Sequence, residues 1–179
     1  GRDVKRWHVQ LSDRYLVRIE SSENVNHPWS GKSAKDAEII FAKKYPAIHA
    51  FFETHRRNLI KRTDQGHYFW ELRSCAYWAE FERPKVIFGR FMDRPTYAFD
   101  DGGIYHNDAL YFASRVGPYI SAVANSQVNW WFLSQTCTDL QNGFLQGLRQ
   151  YQEVIPIPSA TAVQHSLCER LAEALIWLH

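Results

Sequence analysis

The sequence contains few cysteines and no long apolar run. Cys75, Cys137 and Cys168 are its only cysteines among 179 residues, and they lie far apart. An odd, scattered set argues against a disulfide framework and lacks the paired spacing of zinc ligands. No segment reaches the roughly 18 uninterrupted apolar residues of a membrane helix, and no apolar run near the start suggests a signal peptide. We therefore expect a cytoplasmic protein with reduced thiols and no membrane partner.

Charge alone does not identify a partner. The net charge is only +2, which is too small to indicate a nucleic-acid-binding protein by itself. With 45% hydrophobic residues, the chain can bury one substantial core. The sequence starts with glycine and contains a single methionine, Met92. We therefore expect a piece of a longer protein.

The common catalytic motifs are also absent. There is no P-loop, no dinucleotide-binding glycine fingerprint, no Gly-x-Ser-x-Gly elbow and no His-Glu-x-x-His pair. We therefore predict no catalytic residue, no metal and no cofactor in this chain. One weaker pattern keeps an enzymatic alternative open, because Asp64 and Glu71 could hold a divalent cation in a metal-dependent nuclease, with Arg73 nearby. A structural interpretation is favoured for Glu71 and Arg73, namely an internal ion pair.

Apolar residues in the first third of the chain follow first a strand spacing and then a helical one. The stretch RYLVRIE at 14–20 alternates apolar and charged side chains, which predicts a strand. A polar loop over 21–33 follows, and Ser33 is the predicted N-cap of a first helix. Pro46 fits the first residue of a second helix. The apolar stripes of these helices comprise Ala37, Phe41, Tyr45, Ile48, Phe52 and Leu59.

Strand-like runs dominate the middle of the chain and helical patterns return near its end. The short connections between the runs favour antiparallel pairing, since a parallel crossover needs about a dozen residues or more. A helical pattern covers 118–135, in which Asn125, Ser126, Trp130 and Trp131 are expected to pack against the sheet. We predict an α+β fold, with a mainly antiparallel twisted sheet, an N-terminal helical insertion and C-terminal helices. The predicted strands are YFWELR, PKVIFGR, PTYAFD and ALYFASR.

The last helix is preceded by a stiff segment. Pro156 and Pro158 restrict their own backbone and bias the preceding isoleucines toward extended conformations. Ser159 is the predicted cap of the final helix. A protein-interaction module that uses this helix is a further alternative. Its apolar residues at fourfold spacing are Val163, Leu167, Leu171 and Leu175.

A basic cluster lies at the end of the second predicted helix. HRRNLIKR at 55–62 holds four Lys or Arg in eight residues. Arg57 and Lys61 are four apart and share a helix face, so they could neutralise phosphates. A solvated helix face explains the same spacing equally well.

Taken together, several ordered blocks resemble the TaqI-like C-terminal specificity domain. This is the target-recognition domain of type IIG restriction-modification enzymes and related adenine-specific DNA methyltransferases. The order and spacing of the blocks match over nearly the whole chain, although none is diagnostic alone. The blocks are GRDVKRW at 1–7, YLVRIE at 15–20, YFWELRSCAYWAEFERPKVIFGR at 68–90, PTYAFDDGGIYHNDALYFAS at 95–114, AVANSQVNWWFLSQTCT at 122–138 and GFLQGLRQYQEVIPIP at 143–158.

The resemblance implies sequence-specific binding of double-stranded DNA. In that family the domain follows a methyltransferase domain that binds S-adenosylmethionine and carries an Asn-Pro-Pro-Tyr-type motif, which this chain lacks. It implies a target-recognition domain over 1–158 and a spacer-like helix over 159–179. The implied partners are double-stranded DNA and the methyltransferase domain of the same polypeptide. Mg²⁺ is a further candidate cofactor of the parent enzyme.

The same resemblance gives candidate DNA contacts. Phosphate contacts fix the register of a protein on DNA, while polar side chains read base edges in the grooves. Base readout is assigned to Arg90 and Arg94, which flank a predicted turn, and to Gln141 and Asn142 in a polar loop. Phosphate contacts are assigned to Arg56, Arg57, Lys61, Arg62 and Arg149.

Overall fold

The computed structural model describes residues 2–11 and 13–178, and the chain divides into two compact units. The larger unit comprises residues 1–14 and 79–179, and the smaller unit comprises residues 15–78. Helices and antiparallel sheets confirm the α+β fold class. No helix in the described part of the chain is long and apolar enough to cross a membrane.

A three-stranded antiparallel sheet forms the centre of the larger unit. Strand β1 (Lys85–Gly89) lies between β3 (Tyr97–Asp100) and β4 (Leu110–Ser114). Three of the five predicted strands are therefore confirmed. A separate ribbon pairs β2 (Phe91–Met92) with β5 (Leu145–Gln146), also antiparallel.

Both faces of the three-stranded sheet are covered, because successive side chains on a strand point to opposite sides. Val86 and Phe88 pack in one hydrophobic cluster with Leu133, while Ile87 packs in another with Val4. One strand therefore supplies two cores, which explains why all five residues of β1 are buried.

The described part of the larger unit also contains four α-helices: α3 (Pro118–Ala124), α4 (Gln127–Thr136), α5 (Arg149–Gln152) and α6 (Ala162–Trp177). The single helix expected over 118–135 is two helices, because Ser126 adopts an extended backbone and caps α4. The predicted start of the last helix is also corrected. Thr161, not Ser159, caps α6, in a capping box with Gln164.

The smaller unit contains α1 (Ala34–Lys44) and α2 (Pro46–Ile60). Ser33 caps α1 and accepts a hydrogen bond from the Asp36 amide at 3.2 Å, as predicted. Pro46 occupies the first position of α2, also as predicted. Phe41 stacks on Trp70 with ring centroids 4.9 Å apart, so the core of this unit is largely aromatic.

Two predicted strands, 14–20 and 68–73, are wrong. Tyr15 is 92% exposed although Ile19, on the same predicted face, is buried. The 14–20 segment therefore does not bury one face, as a strand against a core would. The second segment turns back on itself, because the Glu71 amide donates to the Tyr68 carbonyl at 2.9 Å.

Candidate functional site

The β2–β5 ribbon brings together five candidate DNA contacts that are distant in sequence. Arg90 and Arg94 flank β2, the Gln141–Asn142 pair precedes β5, and Arg149 follows β5. Phe91 pairs with Gln146, and the Gly147 amide donates to the Arg90 carbonyl at 2.8 Å. The antiparallel register therefore places Arg90 at the end that leads to Arg149, and Arg94 at the end that comes from Asn142.

Most of these side chains are exposed on the ribbon. The Arg94 side chain is 72% exposed and donates to Asp93 at 3.0 Å, a hydrogen bond that lowers the pKa of the Asp93 carboxyl. Gln141 and Asn142 are exposed in a 3₁₀ turn, where Asn142 has a left-handed φ of 62°. An asparagine tolerates that conformation better than most residues do. The turn therefore presents two amide side chains at the same end of the ribbon as Arg94.

Arg90 differs from its neighbours because it is half-buried. Its guanidinium lies 5.5 Å from the centre of the Phe91 ring. Phe91 itself is 52% exposed, and Phe144 on the other arm of the ribbon is also exposed. Neither aromatic was among the candidates, because strand-like patterns placed aromatic residues in the core. Exposed aromatic and cationic groups side by side are typical of surfaces that bind nucleic acids.

The basic cluster of α2 separates into two groups. Arg57 and Lys61 are exposed, and they lie one helical turn apart. Arg62 instead donates to the Phe69 carbonyl at 2.8 Å and to the Glu71 carbonyl at 3.0 Å. Arg62 therefore holds the loop after α2, while Arg57 and Lys61 face solvent.

Arg56 is occupied by two carboxylates. It donates to Glu38, and to Glu53 at 2.6 Å, and its guanidinium lies 4.5 Å from the centre of the Phe69 ring. These hydrogen bonds lower the pKa of Glu38 and raise that of Arg56. The contacts give Arg56 a structural role between α1 and α2 in this conformation.

The same carboxylates belong to the one group in the described ranges that could hold a metal ion. Glu38, His49 and Glu53 place their potential ligand atoms within 4.8 Å of one another. Because the guanidinium of Arg56 already bridges the two carboxylates, it supplies the positive charge that a metal ion would bring.

Asp64, Glu71 and Arg73 do not form the expected arrangement. Glu71 is fully buried and accepts hydrogen bonds from the Trp29 indole at 2.9 Å and the Ser22 hydroxyl at 2.5 Å. The predicted Glu71–Arg73 ion pair is wrong, because Arg73 pairs with Asp64 at 3.4 Å on the surface. The hydrogen bonds of Glu71 instead tie together two loops of the smaller unit.

The predicted packing of the 125–131 segment holds in part. Asn125 is fully buried, and Trp130 packs against the core of the larger unit. Trp131, in contrast, is 64% exposed, so its predicted packing against the sheet is wrong. Two consecutive tryptophans of α4 therefore lie in different environments, Trp130 against the core and Trp131 in solvent.

Helix α6 exposes the apolar stripe predicted for it. Val163, Leu167 and Leu171 are exposed, while Ala172 on the other side of the helix is buried. Helix α6 packs against α3 through that other side. The stripe is therefore an uncovered apolar surface on this chain.

Comparison with known proteins adds no family assignment: no protein-family model matches the chain, and a search of curated proteins found no match.

Proposed function

We propose that this chain is a sequence-specific recognition domain for double-stranded DNA. It would position a neighbouring adenine-specific DNA methyltransferase, and in some enzymes also a restriction nuclease, on its target. S-adenosylmethionine would then bind in the neighbouring domain, with Mg²⁺ where DNA is also cut. The proposal begins from the ordered blocks of residues that resemble the TaqI-like specificity domain.

The observation that carries the proposal is the β2–β5 ribbon. A two-stranded ribbon fits the major groove of DNA, where each base pair presents a distinct pattern of donors and acceptors. Arginine pairs well with guanine, and glutamine or asparagine pairs well with adenine. The segments that flank the ribbon carry both types of side chain, in Arg94, Gln141 and Asn142 at one end, and a phosphate-binding candidate, Arg149, at the other end.

The exposed cations of α2 are the second support. Arg57 and Lys61 are exposed and have the charge that phosphate contacts require. Arg56 and Arg62 support them indirectly, since their contacts fix α2 and the loop that follows it. We therefore assign phosphate contacts to Arg57, Lys61 and Arg149, and a structural role to Arg56 and Arg62.

The uncovered stripe of α6 supports the proposal that the chain has a protein partner in addition to DNA. An exposed apolar row on a helix is a surface on which another domain can pack. In our proposal the methyltransferase domain of the same polypeptide covers Leu167 and Leu171. The stripe alone would also fit a protein-interaction module that binds no DNA. A salt titration of DNA binding separates this module from a DNA-recognition domain, because only phosphate contacts give a steep dependence on salt.

A metal-dependent nuclease that uses Asp64 and Glu71 is the weaker candidate. The carboxylate of Glu71 is buried, and neutral donors use both of its oxygens. Plasmid cleavage in Mg²⁺ that is lost in an Asp64→Ala variant would favour this candidate.

The test of the proposed function is fluorescence anisotropy with the full-length protein and labelled duplexes over a range of salt concentrations. Our proposal predicts that duplex binding weakens steeply as salt rises, because phosphate contacts release counterions. An affinity that is absent at every salt concentration would reject the proposal.

A further inference from the structure

A cavity of about 460 Å³ lies in the larger unit, beside the three-stranded sheet. Its volume falls within the range of about 300–1,000 Å³ that is typical of small-molecule sites. The cavity has three walls: the Val86 face of the sheet, helix α3, and α5 with the segment that follows it. The apolar and aromatic side chains of these walls include Val86, Phe88, Tyr111, Ile120, Ile155 and Ile157.

The proline-containing segment holds one wall in place. Ile155 and Ile157 line the cavity and precede Pro156 and Pro158, which restrict the backbone. The Tyr119 hydroxyl donates to the Pro158 carbonyl at 2.9 Å, and this bond anchors the end of the segment to α3. The wall is therefore stiff, which keeps the cavity from collapsing.

Three polar side chains line the same cavity: Arg149, Gln152 and Glu153. Gln152 accepts a hydrogen bond from the Tyr97 hydroxyl at 2.8 Å through Oε1. Its Nε2 is buried and has no hydrogen-bond partner within residues 2–11 and 13–178. A buried donor without an acceptor is costly, so the Gln152 amide gains a hydrogen bond if it turns toward a ligand in the cavity that supplies an acceptor.

The charges beside the cavity balance each other. Arg149 donates from Nε to Glu153 at 2.5 Å, so one cation and one anion stand side by side. A ligand with a net charge would meet both an attractive and a repulsive partner. A neutral ligand whose edge carries both donors and acceptors would match the pair.

We propose that this cavity binds a planar heteroaromatic ring with the chemistry of a purine base. The aromatic walls provide surfaces for ring stacking. Gln152, Arg149 and Glu153 provide donors and an acceptor for the edge of the ring. The base belongs either to a free nucleoside or to an extrahelical nucleotide of DNA, and of the DNA contacts assigned above the site uses only Arg149.

The test is isothermal titration of the full-length protein with adenosine. Ala113 lines the cavity and is exposed, so Ala113→Trp fills the entrance without disturbing a buried position. We expect saturable one-to-one binding of adenosine, which Ala113→Trp weakens at least about tenfold. Arg149→Ala should weaken adenosine binding about tenfold, which is the loss expected for a hydrogen bond to a charged group. Arg170→Ala, an exposed arginine on α6 outside the cavity, is the matched control and leaves adenosine affinity unchanged. Thermal unfolding of each variant confirms that it is folded.

Competition separates the two sources of the base. If a duplex with one bulged adenine displaces adenosine, the natural ligand is an extrahelical base. If no duplex displaces adenosine, the ligand is a free nucleoside. Both outcomes support the site. The absence of adenosine binding, binding of toluene but not adenosine, or adenosine binding that Ala113→Trp leaves unchanged overturns the proposal. Ala113→Trp leaves Arg57, Lys61 and the ribbon intact, so a failure of this site is distinguishable from a failure of DNA binding.

Discussion

The side-chain amide of Asn125 bonds to both main-chain groups of Tyr97. Its Oδ1 accepts from the Tyr97 amide at 3.1 Å, and its Nδ2 donates to the Tyr97 carbonyl at 2.7 Å. Asn125 is fully buried at the end of α3, and Tyr97 is the first residue of β3. The amide thus ties the helix to the strand as another strand would.

Asn125→Ala should therefore destabilise the larger unit. The change removes two buried hydrogen bonds and leaves the Tyr97 amide without that acceptor, which should cost about 2–4 kcal/mol of unfolding free energy. Urea unfolding measures the loss. Gln127→Ala, at an exposed position of α4, should change the unfolding free energy by less than about 0.5 kcal/mol. Equal stability of the two variants would contradict the bridging role of Asn125.

Glu71→Gln should destabilise the smaller unit although it removes no ion pair. Both oxygens of Glu71 accept hydrogen bonds, from Ser22, Trp29 and Tyr68. The amide has one acceptor oxygen, so its NH₂ group would face existing donors, at a cost of about 2 kcal/mol or more. Tryptophan fluorescence during urea unfolding reports the change. The control Glu23→Gln is exposed and should be neutral, and a neutral Glu71→Gln would refute the role assigned to this carboxylate.

Features encoded by neighbouring residues could be predicted from the sequence. Ser33 caps α1 and Pro46 opens α2, because capping and proline preferences act over a few residues. The predicted strand at 68–73 is wrong because distant residues decide the structure there. The Glu71 carboxylate accepts hydrogen bonds from residues as distant in sequence as Ser22, and these contacts favour a turn. Strand periodicity alone could not reveal them.

The candidate site was predicted residue by residue but not as a surface. Arg94 and Gln141 were separate candidates, and only the pairing of Phe91 with Gln146 brings them to one ribbon. Likewise, the charge of Arg56 was evident from the sequence, but its pairing with Glu38 was not. Long-range pairing decides which charges remain available to a partner, and the local sequence carries little of that information.

Substituting both exposed cations of α2 should reduce the salt dependence of DNA binding. Each phosphate contact contributes about 0.9 to the slope of log affinity against log salt, so Arg57→Gln with Lys61→Gln should lower the slope by about 2. Fluorescence anisotropy at several salt concentrations measures the slope. Lys35→Gln with Lys43→Gln removes the same charge from exposed positions of α1 and should change the slope less. If both double variants lower it equally, the effect is one of net charge.

Acid should destabilise the larger unit partly through His106. The ring packs edge-on against both Phe81 and Phe112, and burial lowers its pKa below the ordinary value of 6.5. Other groups near the ring include the Asn107 carbonyl oxygen, 2.9 Å from Nδ1, and the cation of Lys85, whose charge also lowers the pKa. His106 therefore binds a proton more readily in the unfolded chain than in the folded chain. As a result, the unfolding free energy falls as pH drops through 6.5 toward the lowered pKa of the folded state.

The variant His106→Gln tests this assignment. Urea unfolding at pH 7.5 and pH 5.5, about one unit on either side of the ordinary histidine pKa, should show a smaller loss of stability in the variant than in the unchanged protein. An identical loss in both proteins would show that His106 does not contribute to acid sensitivity.

Selection of binding sites from a pool of randomised duplexes by the full-length protein tests the central claim most directly. Our account predicts that one sequence motif is enriched. It also predicts that Arg94→Ala or Gln141→Ala relaxes the preference at particular positions of that motif, while Arg57→Gln lowers affinity evenly across sequences. The absence of any enriched motif in the unchanged protein, or a motif that both readout variants leave intact, would contradict it.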